Sequence, residues 1–390
     1  WDGISPTMWR DNPRYNGAGE YVDENGKMQY YKNNTDNYFQ HHYQAHVSHI
    51  FNQKWSLNAA LHYTRGDGYT EQVKYAKHKD YALQNYLDGD GNEVEKSNLV
   101  RRKYLSNDFY GGTIGAHFSA KSLKVAFGAA ASNYNGIHYG QVLKMLDESY
   151  PNSVENYEYY RNRGDKLDVN AFAKANWEIV KGLSIYGDLQ YRFVDYRLSG
   201  VNDEDLNEMS LHEQFHFFNP KAGVSYSTKG HNVYATFAMA NREPTRKNYT
   251  ECGPNDQPRH ETLYDYEVGY SYSHKIFSIG ANLYFMDYDN QLVLTGKLSD
   301  TGAALTRNVK NSYRMGVELL AGVQIAKCLR WDANLTLSRN KILNYTDWVD
   351  DWYADWSDPS VIASSGQVEI NYGTTDIAFS PSILVGSTFN

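Results

Sequence analysis

The most regular hydrophobic pattern of the chain lies in residues 277–296, FSIGANLYFMDYDNQLVLTG. Up to residue 285 its odd positions are apolar and its even positions are small or can form hydrogen bonds, a period of two that is typical of a β-strand with one apolar face. The apolar positions are Phe277, Ile279, Ala281, Leu283 and Phe285. Strands of globular proteins are about 5 to 6 residues long, but a tilted strand that crosses a bilayer needs about 9 to 11. The pattern therefore predicts a transmembrane strand that projects above the membrane.

The same alternation recurs along the chain and predicts thirteen strands. Their predicted ranges are 36–51, 55–69, 109–119, 123–139, 167–178, 183–201, 217–226, 232–241, 264–272, 277–296, 312–325, 329–340 and 375–389. The connections are alternately short and long through the whole chain, and we expect 1–35, 70–105 and 140–166 to be irregular polar loops. Short periplasmic turns and long extracellular loops are typical of outer-membrane barrels. The predicted fold is therefore all-β, an antiparallel up-and-down transmembrane β-barrel.

The predicted hairpin 167–178 and 183–201 shows most clearly how the two faces differ. The side chains expected to face lipid are Leu167, Val169, Ala171, Ala173, Ala175, Trp177, Leu183, Ile185, Leu189, Tyr191 and Phe193. Those expected to face the interior are Asp168, Asn170, Lys174, Asn176, Asp188, Gln190 and Arg192. In a soluble sheet the apolar face would be packed in the core and the charged face would be exposed to water. Here the charged face is the inner one and the apolar face is the outer one. The pattern therefore favours a barrel with a polar interior in a membrane.

A soluble β-sandwich or propeller is the alternative explanation for so much alternation. Soluble strands would be shorter, and both ends of the sheet would carry loops of similar length. Trp55, Trp177 and Trp331 all lie on the predicted apolar face beside short turns. Tryptophan at this position suits the aromatic girdle at the periplasmic interface of a barrel.

Composition permits a barrel and excludes other classes of protein. The mean hydropathy of -0.68 and the absence of any run of about 18 apolar residues exclude a helical membrane protein. Aromatic residues make up 15% of the chain, and 35 residues are tyrosine, which suits interfacial girdles and a polar interior. The net charge of -8 offers no basic surface for nucleic acid. Cys252 and Cys328 are too few for a disulfide framework, and we expect them in an outer loop and a periplasmic turn, too far apart to pair.

No pattern in the chain predicts an enzyme, a metal site or a cofactor site. The common motifs for nucleophilic hydrolysis, zinc, phosphate and thiol redox chemistry are absent. The histidines of 41–49 fall on both faces of one predicted strand, so we interpret them as polar wall residues. Residues 88–93, DGDGNE, mimic the start of a calcium loop, but Glu93 replaces the required glycine and Leu99 stands where the final glutamate belongs. We therefore expect a turn there.

One loop carries a candidate binding surface, residues 347–358, DWVDDWYADWSD. Tryptophans recur at intervals of four residues, and on a helix they would form an aromatic stripe beside a stripe of carboxylates. The candidate ligand-binding residues are Trp348, Trp352, Trp356, Asp351 and Asp355. Such a surface could stack sugar rings or another flat ligand, or hold a cationic one. The alternative is that the stripe packs against a neighbouring loop.

Six ordered segments of the chain resemble a known family. They are TDNYFQHHYQAH (35–46), LNAALHYTRGDGYTE (57–71), ANREPTRKNY (240–249), ETLYDYEVGY (261–270), LYFMDYDNQLVLTG (283–296) and RNVKNSYRMGVEL (307–319), and NPRYNGAGEY (12–21) precedes them. Together they resemble the barrel region of TonB-dependent outer-membrane receptors, particularly those of the Bacteroidetes. The resemblance spans nearly the whole chain, and its specificity lies in the ordered set of segments.

The resemblance implies a barrel of roughly twenty-two strands with a plugged interior, of which residues 1–390 would be a partial barrel. We find no plug domain or TonB box, and we expect the plug and the closing strands to lie outside this chain. The implied function is active import of a scarce nutrient through the outer membrane of a Gram-negative bacterium. The implied partners are membrane lipid, TonB acting through the plug, and a small ligand, which could be an iron chelate, haem, a vitamin, a glycan or a peptide. A surface lipoprotein could be a further partner.

Two alternatives to active import differ in class. A passive porin or structural barrel would have no plug, so the presence of a plug domain distinguishes it from a receptor. A barrel enzyme such as a protease or lipase would need catalytic groups that converge at one rim, and the sequence offers none.

Overall fold

The structure is a computed structural model that describes residues 5–15, 17–203, 205–250, 252, 257–298, 304–354 and 362–390. Strands dominate the described residues. In chain order they are β1 Glu20–Val22, β2 Met28–Tyr30, β3 Thr35–Ile50, β4 Trp55–Lys77, β5 Tyr86–Leu87, β6 Glu93–Val94, β7 Lys96–Ser119, β8 Leu123–Met145, β9 Glu155–Val180, β10 Leu183–Val201, β11 Glu208–Thr228, β12 His231–Arg242, β13 Glu261–Ser273, β14 Phe277–Leu298, β15 Ala304–Ala326, β16 Leu329–Ala354, β17 Ile362–Asp376 and β18 Ile383–Phe389. The two α-helices, α1 Pro6–Asp11 and α2 Arg246–Thr250, are short. No helix in the described ranges is both long and apolar enough to cross a membrane.

One antiparallel sheet of fourteen strands contains nearly all of the regular structure. Its strands are ordered β17-β16-β15-β14-β13-β12-β11-β10-β9-β8-β7-β4-β3, so that consecutive large strands are neighbours, and β18 pairs with β16. Small hairpins, β1–β2 and β5–β6, account for the remaining strands. The predicted meander and its alternation of short turns with longer connections are confirmed.

The last predicted strand, 375–389, is wrong in one respect, because the structure divides it. Residues up to Asp376 belong to β17, which pairs with the part of β16 from Lys341 onwards, whereas β18 pairs with Trp331 to Leu337 of the same strand. Pro381 lies in the gap and has no N–H to donate to a sheet ladder. The thirteen predicted strands therefore correspond to thirteen positions in the sheet, of which the last is filled by two shorter strands.

Two of the predicted long loops are mostly strand. Between residues 70 and 105, β4 continues to Lys77 and β7 begins at Lys96. Between residues 140 and 166, β8 continues to Met145 and β9 begins at Glu155. Beyond the membrane neither face of a strand meets lipid, so the hydrophobic alternation fades while the hydrogen-bonded ladder continues. The strands consequently extend well past the apolar band.

The segment 1–35 was expected to be irregular, but its described part contains α1 and the β1–β2 hairpin. The Asp23 carboxylate accepts hydrogen bonds from the backbone N–H groups of Asn25 and Lys27, which stabilises the turn predicted from DENG. The hairpin contacts the extended ends of the wall, where the Asn98 side chain donates to the Val22 carbonyl. This segment therefore lies at the end of the sheet that carries the long connections.

The two faces of β9 and β10 differ as predicted. Ile185 and Leu189 are exposed on the apolar face, and Leu183 and Phe193 are half-buried on that face. On the other face Arg192 bonds to Asp168 of β9. Trp55 and Trp177 are exposed beside short turns, as expected of a girdle, and Trp331 is half-buried beside another.

The cysteines lie where they were predicted. Cys252 lies in the long connection from β12 to β13, and Cys328 lies in the short turn from β15 to β16. Both are free. Because long and short connections lie at opposite ends of the strands, the two thiols are separated by the length of the sheet.

Candidate functional site

The backbone around the predicted tryptophan stripe is a strand and not a helix. Residues up to Ala354 belong to β16, where Trp348 pairs with Glu369 and Trp352 with Ser364 of β17. The register shifts between Asp350 and Trp352. The helical stripe is therefore wrong for 347–354.

The reason is that a spacing of four residues fits either structure. Four is close to one helical turn and is also twice the period of a strand, so the spacing of the tryptophans could not distinguish the two. Hydrogen bonding to β17, in which Val349 pairs with Val368, selects the strand conformation for this segment. Trp356 and Asp355 lie outside the described residues, and only the backbone of Asp351 and Trp352 is described. Ligand binding by the five candidate residues stays a prediction.

We predict that replacing Trp348, Trp352 and Trp356 together by alanine weakens ligand uptake more than about tenfold, because a stacked aromatic contributes about 1 kcal/mol beyond its buried area. The measurement is uptake by cells that produce the variant at the wild-type level in the outer membrane. Normal uptake by the triple variant would show that the rings pack against protein and that the ligand binds elsewhere.

The structure brings together a group of charged side chains that the sequence had not singled out as a site. It lies on the inner face of β9 and β10, where the connection from β12 to β13 folds onto the wall. Glu243, the first residue of that connection, is buried and accepts two hydrogen bonds from Arg192, at 2.8 Å and 2.9 Å. Lys166 also donates to Glu243, and Asp168 accepts from the Nε of Arg192 at 3.0 Å. The connection is thereby fixed to the barrel wall by ionic contacts.

Burial raises the pKa of the Glu243 carboxyl, but the hydrogen bonds from Arg192 and Lys166 outweigh it and lower the pKa to about 2. Glu243 is consequently ionised at neutral pH. An ionised carboxylate that is buried and shared by two cations keeps this end of the connection in place.

A second ionic contact holds α2, which follows Glu243 in the same connection. An Nη of Arg246 lies 3.2 Å from Oδ1 of Asn162 and 3.4 Å from Oδ1 of Asp203. Lys103 of β7 donates to the other oxygen of Asp203 at 3.2 Å. Two wall strands and the β10–β11 connection are thereby tied to α2.

Aromatic packing accompanies these ionic contacts. Tyr249 lies on Tyr196 with ring centroids 6.0 Å apart, and it packs against a buried cluster on the inner face of β10 and β11. The buried residues of that cluster are Val194, Tyr196, Leu198, Phe215 and Phe217. His260, near the other end of the connection, lies 5.5 Å from the ring of Phe217. The connection therefore covers apolar surface of the inner wall.

The same connection also reaches the wall on the other side of β12. Asn248 donates to the Thr306 hydroxyl of β15 at 3.3 Å, and Cys252 forms a β-bridge with Thr306. Asn308 bonds to the backbone N–H and carbonyl of Arg259 at 2.7 Å and 2.9 Å. The contacts run from β9 to β15, so the connection crosses the inner face of a seven-strand stretch of the wall.

Two buried polar atoms of this connection have no hydrogen-bond partner within the described part of the chain: Nε of Arg246 and the hydroxyl of Tyr249. Buried polar groups in proteins are nearly always paired with protein or water. Both atoms are donors, so they need an acceptor from a ligand or from a part of the protein outside the described residues. We therefore take the described part of 243–260, with the wall residues beneath it, as the candidate functional site.

Sequence reasoning placed Asp168 and Arg192 inside the barrel, but it did not identify Glu243, Arg246 or Tyr249 as site residues. These three belong to the segment ANREPTRKNY, which contributed to the family resemblance. Three closely spaced polar and aromatic residues just after a strand were the available signal. Their partners are 43 to 84 residues away in the chain, so local pattern could not reveal them.

The other polar clusters form no metal site in the described residues. His42 and His46 bond to Thr64 and Gln44 on the exposed surface of β3. The Asp88 carboxylate accepts from the backbone N–H groups of Asp90 and Asn92, which is the turn expected of DGDGNE.

Comparison with known proteins identifies the barrel. The family model described as TonB dependent receptor-like, beta-barrel, matches residues 2–382. A comparison with curated proteins gave no match. Among solved structures, the siderophore receptor PiuA from Acinetobacter baumannii is 11% identical with a TM-score of 0.60, and the match covers 91% of this chain and 53% of PiuA.

Two further solved structures share the fold. The ferric-catecholate import receptor Fiu from Escherichia coli K12 is 14% identical with a TM-score of 0.56, over 84% of this chain and 53% of Fiu. The copper transporter OprC is 14% identical with a TM-score of 0.59, over 81% of this chain and 50% of OprC. The chain thus spans about half the length of these structures, and at such identity the likeness shows the fold alone. Together with the match to the family model, the sheet shows that this chain belongs to the TonB-dependent receptors, a family of outer-membrane receptors of Gram-negative bacteria and not of enzymes, and that its sheet is part of their β-barrel.

Proposed function

We propose that the chain is the barrel part of an active importer that takes up a scarce small ligand and is energised through TonB. A plug region outside this chain would occupy the interior and contact TonB, and a surface lipoprotein could assist capture of the ligand. Family membership supports this proposal. The observation that carries it is the described part of the connection 243–260, which contacts the inner wall from β9 to β15 and is fixed there by Glu243 and Arg246.

A passive porin is the second candidate, and the same observation weighs against it. A porin conducts through an open aqueous interior. Here the described part of the connection lies across the inner face of the wall and is tied to it by ion pairs at Arg192 and Asp203. Movement of this connection away from the wall would require these contacts to break, which suits a receptor whose loops change position with an energy source better than a pore that stands open.

The ligand class stays open among iron chelates, haem, vitamins, glycans and peptides. Fiu and PiuA are named as receptors for ferric catecholates and siderophores, and OprC is named as a copper transporter. Because of these names, metal chelates are the first compounds that we would test. The Nε of Arg246 and the hydroxyl of Tyr249, which have no partner among the described residues, are donors and suit a ligand rich in acceptor oxygens.

We predict that uptake through the full-length protein requires TonB. Uptake of a panel of labelled ferric siderophores, haem, vitamins, oligosaccharides and peptides is measured in the native host with and without the receptor gene, and then with and without TonB. The compound whose uptake depends on the receptor should lose at least about tenfold in rate without TonB. Receptor-dependent uptake that is unchanged without TonB would identify a passive barrel and contradict the proposal.

A further inference from the structure

A cavity of about 460 Å³ lies between the β1–β2 hairpin and the extended ends of the wall strands β4 and β7. Residues 20–24 line it from the hairpin, Val73 and Tyr75 line it from β4, and Asn98 lines it from β7. Its volume falls within the range of about 300 to 1,000 Å³ that is typical of ligand sites. The cavity therefore has room for an amino-acid side chain or a small molecule.

The cavity lies on the outer side of the wall and beyond the bilayer. Val73 and Tyr75 share the outer face of β4 with Trp55, because β4 pairs with β7 over its full length without a shift in register. The apolar run on that face ends at Tyr63, well before the cavity. Both wall strands have a further neighbour, β3 for β4 and β8 for β7, so the cavity is not part of an open sheet edge. It is therefore separate from the connection 243–260 on the inner face.

Acidic side chains predominate in the lining of this cavity. The acidic lining residues are Glu20, Asp23, Glu24 and Asp147, and the basic one is Lys96. Among the described residues, the groups that donate hydrogen bonds to these carboxylates are neutral: tyrosine and serine hydroxyls, side-chain amides and backbone N–H groups. The negative charge of the cavity is therefore not cancelled by ion pairs with guanidinium or ammonium groups of the wall.

The carboxylates of the hairpin are ionised at neutral pH. Hydrogen bonds from Tyr30 and Tyr15 lower the pKa of Glu20. Hydrogen bonds from the hydroxyl and the backbone N–H of Ser149 lower the pKa of Glu24. A cleft whose walls carry one sign of charge attracts ions of the opposite sign. The cavity consequently repels phosphates and other anions and favours a cation.

Asn98 gives independent evidence for a missing hydrogen-bond donor. Its side chain is buried, with the residue only 4% exposed, and its Nδ2 donates to Asp147 at 2.8 Å and to the Val22 carbonyl at 2.9 Å. These two bonds identify the nitrogen of the amide, and the Oδ1 that remains has no partner among the described residues. Buried polar groups are nearly always paired. A group bound in the cavity that Asn98 lines could supply the donor.

The lining suits an organic cation better than a metal ion. Within the described ranges no three histidine, cysteine or acidic residues are grouped so that they could hold a metal. Tyr75 and Tyr86 line the cavity, and tyrosine rings attract ammonium and guanidinium groups. On the hairpin Val22 pairs with Met28, and these residues are 49% and 52% exposed. Exposed apolar side chains beside an acidic cavity suit a peptide segment that inserts one basic side chain.

We propose that this cavity binds a lysine or arginine side chain from a surface segment of a partner protein. The ammonium or guanidinium group would donate to Oδ1 of Asn98 and lie among the carboxylates. Apolar neighbours of the basic residue would contact Val22 and Met28. Because the cavity lies on the outer side of the wall, the partner would be held beside the barrel. Binding there does not depend on the imported ligand or on TonB.

The test uses the full-length receptor, purified in detergent, and two dye-labelled peptides. The first peptide is Ala-Leu-Arg-Leu-Ala, which carries one basic side chain between apolar ones. In the second, citrulline replaces the arginine and keeps its shape without its charge. Binding is measured by fluorescence anisotropy. We expect the citrulline peptide to bind at least about tenfold more weakly, because it loses charge-assisted hydrogen bonds.

Three variants of the receptor locate the binding. Glu20→Gln/Glu24→Gln removes two charges of the cavity but keeps oxygen acceptors, and it should weaken binding of the arginine peptide at least about threefold. Glu155→Gln/Glu208→Gln removes two exposed carboxylates at the same end of the sheet but outside the cavity, and it should bind as the wild type does. Lys96→Gln removes the competing cation and should strengthen binding about two- to fivefold.

Several outcomes would overturn the proposal. They are equal binding of the two peptides, an equal loss in the two double variants, and binding to Lys96→Gln that is no tighter than to the wild type. Displacement of the peptide by an equal concentration of calcium or of arginine amide would identify a site for a metal ion or a small amine, and would also overturn it. Folding is checked by the heat-dependent shift in gel mobility typical of barrels. If the Glu20/Glu24 variant does not fold, the peptide pair and Lys96→Gln still decide, because misfolding cannot strengthen binding.

Discussion

Leu189→Arg is expected to destabilise the barrel by about 2 to 4 kcal/mol. Leu189 is 54% exposed on the apolar face of β10 and lies near the middle of the outward run 183–193. A charged side chain at this depth would have to reach a distant interface or draw water into the bilayer. The measurement is the free energy of unfolding of the full-length receptor in phospholipid bilayers by denaturant titration.

Gln190→Arg is the matched control, because the neighbouring residue points to the opposite face. Gln190 accepts a hydrogen bond from Asn219 at 3.1 Å on the inner wall, where water and polar groups are present. We expect a cost of about 1 kcal/mol or less, which is the net worth of one hydrogen bond. Equal destabilisation by the two variants would contradict the assignment of faces.

Glu243→Gln is expected to loosen the connection that crosses the inner wall while leaving the barrel folded. The substitution removes the charge that holds Arg192 and Lys166. Leaving a partly buried cation without its partner costs about 1 to 3 kcal/mol, and Arg192 keeps Asp168, so the cost stays below that of a fully buried pair. The open population of the connection should therefore rise about five- to 150-fold.

Trypsin can measure this opening, because α2 contains Arg246 and Lys247. When a segment opens and closes faster than it is cut, cleavage follows the open population. Cleavage at these residues in intact outer membranes should accelerate in the Glu243→Gln variant. Asp332→Asn is the control, because the Arg330–Asp332 pair is about 40% exposed on both sides and contributes about 0 to 1 kcal/mol. Unchanged cleavage in the Glu243 variant would show that the other contacts suffice to hold the connection.

The same contact predicts a dependence on pH. The pKa of Glu243 is lowered to about 2 in the folded protein, from about 4.3 in an unfolded chain. A carboxyl with a depressed pKa stabilises the fold above its unfolded pKa and loses that contribution as pH falls through the folded value. Opening of the connection should thus be insensitive to pH near neutrality and increase between about pH 4 and pH 2.

The placement of the large strands followed from sequence because lipid imposes a simple rule, whereas the family was indicated by the resemblance of the ordered segments. A strand such as β10 must present apolar side chains to the hydrocarbon at every second residue over about 9 to 11 residues. That rule acts locally, so Leu183, Ile185 and Leu189 could be assigned to the outer face without any partner strand. Trp55 and Trp177 beside short turns marked the periplasmic interface for the same reason.

Outside the part of each strand that contacts lipid, the side chains need not alternate between apolar and polar. There the sequence predicted the strands less well. The extension of β4 to Lys77 and the start of β7 at Lys96 were assigned to loops, because strands surrounded by water on both faces show no hydrophobic period. The strand at Trp348 was assigned to a loop, and its tryptophan stripe was described for a helix because a spacing of four fits both periods. In both places pairing with the neighbouring strand, a contact between residues distant in sequence, decides the conformation.

The sequence by itself determined that this chain builds an outer-membrane barrel with an apolar outside, a polar inside and long connections at one end. Only the tertiary structure showed that Glu243 lies on Arg192 and Lys166 and that Tyr249 covers Tyr196. These groupings depend on the register between strands and on the path of a connection across several of them. The physical reason for the difference is that the bilayer acts on each residue separately, whereas a site needs side chains from distant segments to meet at distances of a few ångströms.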